Sequence, residues 1–336
     1  MTGITLLDVG HGNCTIVHAG TATVVIDSPT GALLLGTLED MRIDRIAAAI
    51  ISHADKDHIA GIIPLLTSNS VQVDRIYVNP DSERRTKIWR AFRAAVSVAE
   101  RKGSCEVVTS LSTTMPGTIK LGETAITVVS PSAALALTGV GGETTGGKVV
   151  TANTLSGVLR IDKGSGGNGV LLAGDMDEIS LDDAIAAGAE LSASVLVFPH
   201  HGGLPGSAEP SAFAIKLLDA VKPRSVIFSN GRGRHDNPRP EIVGPACERG
   251  CAIACTQLSE RCQATTVGVT DHLEPIRAHG RPTSACCAGS ITLTLGPVAV
   301  RVPGADDRHQ SFITSEVATP MCRVTQSGRT TGGVAA

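Results

Sequence analysis

The chain is poor in aromatic side chains. One Trp, one Tyr and five Phe are spread over 336 residues, too few for the exposed stacking platform that single-strand nucleic-acid binders offer to bases. It also lacks an excess of positive charge. Its 29 Lys and Arg stand against 32 Asp and Glu, which excludes a uniformly basic coat but leaves room for a local basic groove. No apolar run reaches the roughly 18 residues that a membrane-spanning helix requires. The opening residues, MTGITLLDVGHGN, lack the basic segment and long apolar stretch of an export signal. With no such signal, the nine cysteines read as reduced thiols, and a cytoplasmic protein is expected. Their odd number fits poorly with a full disulfide framework. No Gly-rich segment ends in the Lys-Ser/Thr pair of a phosphate-binding loop, and no Ser-His-Asp or Cys-His nucleophile pattern competes for the chemistry.

What is present is enough apolar sequence for a sizeable core, 42% hydrophobic against 18% charged. Residues 4–9 and 14–17 read as an opening hairpin, and 23–26 as a third strand ending at Asp27. Residues 46–52 are almost wholly apolar, the pattern of a buried strand, and they stop at His53. Residues 83–102 predict an amphipathic helix with Ile88, Phe92, Ala95 and Val96 on its apolar stripe, ended by Gly103. Residues 133–148 are rich in Gly and Thr and read as a loop. Further strands are expected at 155–161, 170–173, 195–198 and 225–229, and again at 253–258, 291–295 and 298–302. No linker or repeat divides the chain. Strands clustered in two halves with helices between them suit an α/β fold of two sheets packed face to face with helices outside. A single domain over residues 1–303 is expected, followed by a flexible C-terminal tail over 304–336.

The polar residues that carry chemistry sit at the ends of these strands. Ser52-His53-Ala54-Asp55-Lys56-Asp57-His58 places four metal-capable side chains within six residues, directly after a buried strand. Imidazole nitrogen and carboxylate oxygen are ligands that zinc, manganese and iron accept. The plain alternative is a solvated acidic turn. Leu171-Leu172-Ala173-Gly174-Asp175 is a strand ending in an acid, and Val197-Phe198-Pro199-His200-His201 a strand ending in paired histidines. Either one alone would suit a cap or a turn. Three such ends in one chain point to a metal centre, which needs ligands from several elements.

Together with Leu7-Asp8-Val9-Gly10-His11-Gly12-Asn13, Ile26-Asp27, Asn153-Thr154-Leu155-Ser156 and Gly202, these segments resemble the metallo-β-lactamase superfamily. The order of the motifs, over residues 4 to about 245, is most similar to the soluble hydrolase domain of ComEC-type DNA-uptake proteins. The resemblance implies an αββα four-layer sandwich and one or two divalent ions, Zn or Mn. His53 and Asp55 would hold the first ion, Asp57 and His58 the second. Asp175 would bridge them, and His201 would complete the second site. The third His of the family's first site has no clear counterpart; Asn153 or Ser156 lies nearest in order, which makes the site richer in oxygen. Asp57 would also orient the attacking hydroxide. His200 is a candidate for binding substrate or orienting His201, and Asp27 for bracing the metal loop. His235 lies in His235-Asp236-Asn237-Pro238-Arg239-Pro240-Glu241, where the family usually has His-Pro-His-Pro-Glu. It is a candidate proton donor, with an ordinary loop role equally open. His11 stands where the family usually has Gln, and it reads as a turn-former at least as readily as a site residue. The implied function is a metallo-hydrolase acting through a metal-bound hydroxide, a phosphodiesterase or nuclease with nucleic acid or a phosphoester as substrate. The rivals are hydrolysis of a lactam, thioester or small phosphoester, and a catalytically weak regulatory or partner-binding module.

The segment 247–290 is rich in cysteine. Cys255, Cys262, Cys286 and Cys287 adjoin strand-like runs and are candidate donors to an additional structural zinc, although their spacing matches no standard zinc ribbon. The simpler expectation is a set of buried, unliganded thiols.

Overall fold

The computed structural model describes residues 2–79, 86–109, 111–114, 119–164, 168–206 and 208–323. Its strands, in chain order, are Thr2–Leu6 (β1), Thr15–Ala19 (β2), Ala22–Ile26 (β3), Arg45–Ile46 (β4), Ala48–Ile51 (β5), Gln72–Val73 (β6), Arg75–Val78 (β7), Glu106–Val108 (β8) and Ile119–Leu121 (β9). They continue with Thr124–Ser130 (β10), Val158–Lys163 (β11), Val170–Leu172 (β12), Val195–Val197 (β13), Ser225–Phe228 (β14), Ala252–Cys255 (β15), Ile291–Leu295 (β16) and Ala299–Arg301 (β17). The helices are Gly31–Asp40 (α1), Lys56–Ile59 (α2), Ile62–Thr67 (α3), Lys87–Arg101 (α4), Ala133–Thr138 (α5), Glu178–Ala186 (α6), Pro210–Val221 (α7), Pro240–Glu248 (α8) and Ala305–Ser315 (α9).

One sheet runs β17-β16-β1-β2-β3-β5-β7-β8 and the other β15-β14-β13-β12-β11-β10-β9. Side chains alternate across each strand, and both faces are covered. In β5, Ala48 and Ile50 enter the core between the sheets, where they join Ile4, Val24, Ile126, Leu159, Val170 and Val195. Ala49 and Ile51 face the other way, into the layer formed by Leu34, Leu38, Ile62, Leu65, Trp89 and Phe92. The second sheet is covered in the same manner by Leu181, Phe213, Leu217 and Ile242. A strand buried on both faces has no polar position, which is why residues 48–51 read as a continuous apolar run. The result is the αββα four-layer sandwich.

Strand direction places the chemistry. β3, β5, β7 and β8 are mutually parallel, as are β12, β13, β14 and β15. Their C-terminal ends therefore lie along shared edges, where residues leaving the strands converge.

Several sequence expectations are corrected. The run 46–52 is two strands: β4 pairs with β6 in a separate two-stranded sheet, and only β5 joins the main sheet. The helix expected from 83 spans 87–101, capped by the Thr86 side chain on the Trp89 amide; residues 80–85 lie outside the described residues. Its fully buried positions are Trp89, Phe92, Ala95 and Ala99, with Ile88 and Val96 partly buried against the same core. The expected loop 133–148 opens with α5, whose first turn is held by Ser132 accepting from the Leu135 amide. That local cap outweighs the Gly/Thr-rich composition that follows. The tail expected from residue 304 begins instead with α9. Phe312 and Ile313 bury their side chains against Leu258, Cys262 and Cys287, and His272 stacks on Phe312 at 3.8 Å. This apolar contact fixes the segment; residues 324–336 lie outside the described residues. Finally, Cys286 does not join the other three candidate zinc donors. Its thiol donates to Asp8 Oδ2 at 3.3 Å, because its side chain points to the opposite side of the chain from that of Cys287.

Candidate metal centre

His53 leaves the end of β5, Asp175 follows β12 and His201 follows β13. Two three-residue groups form where these ends meet. His53, His58 and Asp175 make one, and His11, Asp57 and His201 the other, each with its donor atoms within 4.8 Å of one another. Asp175 stands between them. Its Oδ1 is 3.5 Å from His58 Nε2 and 4.0 Å from His201 Nε2. Its Oδ2 is 3.8 Å from His53 Nε2 and 3.6 Å from His200 Nδ1. Asp55 Oδ2 lies 3.6 Å from His53 Nε2. Asp57 Oδ2 is 3.3 Å from His11 Nε2 and 3.6 Å from His201 Nε2.

The grouping differs from the expected partition. His58 sits with His53 and Asp175 instead of with Asp57, and His11 enters the site. The His11 ring is wedged between His201 (4.3 Å) and His235 (4.7 Å). Sequence alone leaves His11 open between a turn-former and a site residue, because its place in the site depends on β14 bringing Ser229–Gly231 against the 10–12 turn. Ser229 Oγ donates to the Gly12 carbonyl at 2.7 Å. Of the two residues nearest in order to the missing third His, Ser156 reaches these ligands, with its Oγ 3.4 Å from His53 Nδ1 and accepting from the Asp175 amide at 3.0 Å.

The histidines are oriented from behind. Asp27 accepts from His58 Nδ1 at 2.8 Å and from the Ser52 amide and hydroxyl at 2.8 and 2.7 Å. His201 Nδ1 donates to the Ser229 carbonyl at 2.8 Å. Each Nδ1 so engaged turns Nε2 toward the site, the arrangement that supports metal-ligating imidazoles. Backbone strain contributes as well. His200 and His201 both adopt left-handed φ values, 52° and 57°, as does Asp27 at 56°. Such residues cost about 1–3 kcal/mol each and are retained where surrounding structure enforces them.

Burial and charge act on the same groups. Burial alone would lower the His58 pKa, but the Asp27 and Asp175 carboxylates outweigh it and hold His58 well above its ordinary value. Burial would raise Asp175, yet His58, His200 and His53 keep it well below the usual carboxylate range. Asp57 is likewise held down, against its burial, by the His11 and His201 imidazoles beside its carboxylate. Burial lowers the pKa of both His11 and His200.

His53 Nε2, His58 Nε2, His201 Nε2 and Asp175 Oδ1 are buried with no hydrogen-bond partner. Orphaned buried polar atoms are rare and costly. Here they converge on one space, flanked by ionised carboxylates, so the residues fit a divalent cation. His53, Asp55, His58 and Asp175 would hold one ion and Asp57, His201 and His11 the other, with Asp175 reaching both.

Two clefts open from this point. One, of about 300 Å³, is lined by His11, Asp57, Asp175, His200, His201 and His235 and reaches Asn237 and Arg239. The other, of about 440 Å³, shares His11, Asp57 and His235 and is walled by Lys56, Arg232 and Arg234. Arg232 is committed to the Leu258, Gln263 and Ala264 carbonyls, whereas Lys56 and Arg234 are exposed at the rim.

No protein-family model and no curated protein matches the chain. Among solved structures, the chain is similar to the metallo-β-lactamase fold protein YhfI from Bacillus subtilis, with TM-score 0.48 and 16% identity over 76% of this chain and 96% of that one. A diphosphatase of the PhnP family gives 0.42 and 17% over 76% and 95%. The E377D mutant of the CmlA beta-hydroxylase gives 0.45 and 17% over 75% of this chain, which spans about half (52%) of that structure's length. No helix among the described residues is long and apolar enough to cross a membrane.

Proposed function

We propose that the protein is a metal-dependent hydrolase of the metallo-β-lactamase superfamily, similar to the ComEC-type hydrolase domain, acting on a phosphodiester or another anionic phosphoester. The observation that carries this reading is the set of orphaned imidazole nitrogens and the Asp175 oxygen at the floor of clefts with cationic rims. When bound there, divalent ions supply Lewis-acid polarisation of a phosphoryl oxygen and lower the pKa of water.

The chain's own residues do the rest. Lys56 and Arg234 attract and seat the negative groups of the substrate, and Arg239 does so from the other cleft. Asp57, ionised and aimed by His11 and His201, accepts a hydrogen bond from the attacking water and fixes its direction. Asp27, through His58, and Ser229, through His201, keep the ligands in one tautomer and orientation. His235 stands at the mouth of both clefts, where an imidazole can hand a proton to the leaving oxygen.

The test is turnover of bis-p-nitrophenyl phosphate, single-stranded DNA, RNA and a chromogenic lactam by metal-stripped and by Zn- or Mn-loaded protein. Diester cleavage that depends on the ion, with no lactam opening, is expected. Diester cleavage by the stripped protein, or none by the loaded protein, would overturn the reading.

A further inference from the structure

A second collection of donors lies away from this centre. Between the end of β15 and the start of β16, some 35 residues contain a single short 3-10 turn, Arg281–Thr283. A stretch of that length without regular elements needs something other than a hydrogen-bond ladder to fix it. Cys255, Cys262, Cys287, Cys322 and His309 line one small cavity of about 20 Å³, walled otherwise by Leu258, Ile313 and Met321 among others. They come from four separate stretches: the end of β15, the turn after Leu258, the strand-like bridge before β16, and α9 with the residues that follow it. Cys262, Cys287 and His309 are 9%, 5% and 5% exposed. His309 Nε2 lies 3.3 Å from Cys287 Sγ. All of these thiols are free.

We propose that Cys255, Cys262, Cys287 and His309 hold a structural zinc ion that ties the 255–290 segment and α9 to the second sheet. A cavity of this size takes one atom-sized guest and no more. Its thiols and imidazole are the donor types of a closed tetrahedral zinc site, and four of the five are enough to fill one. Among the described residues the donor groups that meet within 4.8 Å belong to the histidine–carboxylate centre, so zinc binding requires the Cys255, Cys262 and Cys287 side chains to turn inward. Binding converts three thiols to thiolates and releases their three protons. His309 supplies a neutral imidazole, since burial holds its pKa down to about 3. The site then carries one net negative charge, and Arg232 and Arg301 direct positive charge at Cys262 and Cys287. Cys286 is excluded by its bond to Asp8; Cys322, which also lines the cavity, is left outside the proposed set because His309, whose nitrogen lies beside the Cys287 sulfur, takes the fourth place.

The experiment uses the full chain. Asp175→Ala disables the catalytic centre, so zinc that remains belongs elsewhere. About one zinc per chain is expected in Asp175→Ala, and none in Asp175→Ala combined with Cys262→Ser or with His309→Ala. Cobalt(II) in place of zinc should give the near-ultraviolet thiolate charge-transfer absorption, which a histidine–carboxylate site cannot produce. Should the Cys262 variant not fold, alkylation of the parent protein decides: Cys255, Cys262 and Cys287 should resist it until a chelator is added. Absence of the cobalt–thiolate band, alkylation that ignores the chelator, or zinc lost in Cys322→Ser but kept in His309→Ala would each overturn the assignment. None of these readouts depends on hydrolase activity.

Discussion

Asp57 and Asp175 are two acids with different surroundings and separable consequences. Asp57 is partly exposed at the cleft, with His11 and His201 beside its carboxylate. Asp57→Ala should lower diester turnover by on the order of 10²–10³-fold while leaving the circular dichroism spectrum and cooperative unfolding unchanged. Asp175 is the shared oxygen donor, so Asp175→Ala should abolish turnover and also remove the binding of both catalytic ions, which calorimetric titration with Mn would show. Full activity in Asp57→Ala would mean that residues 53–58 are only a turn. Gly231 is a different kind of residue. A Cβ there would meet the His11 backbone nitrogen at 2.5 Å and the Gly10 carbonyl carbon at 2.9 Å. Neither can move without shifting the His11 turn. Gly231→Ala should therefore displace His11 from Asp57 and lower kcat by ~10²-fold, the scale of a misplacement of about 1 Å, with little change in overall secondary structure. Unchanged kcat would place His11 outside the chemistry.

At the scale of elements, the parallel strands matter most. The residues after β5, β12 and β13 reach one another only because those strands run the same way within their sheets and the sheets pack face to face. The motifs themselves were legible: a buried apolar strand ending in His53, another ending in Asp175, a third ending in His200 and His201. Their partition into two groups was not, since it depends on which strand ends and turns meet where the two sheets pack together. For His11 the sequence left a turn role and a site role both open, since its position is set by packing against Gly231 some 220 residues away in the chain. The element that departs furthest from expectation is α9. Polar on most of its surface, it shows few apolar positions in sequence, yet Phe312 and Ile313 are buried at its inner face. Phe312→Ala should cost about 3–5 kcal/mol of stability, and a chain ending at residue 303 should unfold at lower denaturant concentration than the full chain. A truncated chain with an unchanged midpoint would show that α9 is dispensable.

For the whole molecule, the candidate metal centre takes its residues from both sheets, so ion binding there would be coupled to folding. An ion present at about 100 times its dissociation constant stabilises the native state by about 2.7 kcal/mol. Manganese, which prefers oxygen and imidazole to thiolate, should raise the Tm of the parent protein by several degrees and leave that of Asp175→Ala where it was. A Tm that rises equally in both would place the bound ion elsewhere. The chemistry on offer and the class of the fold follow from the order of residues along the chain. Strands buried on both faces must be apolar throughout, and ligands placed at their ends remain visible as His and Asp immediately after an apolar run. Which of those ligands share an ion, that His11 stands among them, that Cys322 lies beside Cys287 while Cys286 turns away, and that α9 closes the structure were decided only by the tertiary structure. These are contacts between residues far apart in the chain, and a short-range pattern holds no record of which surfaces will meet.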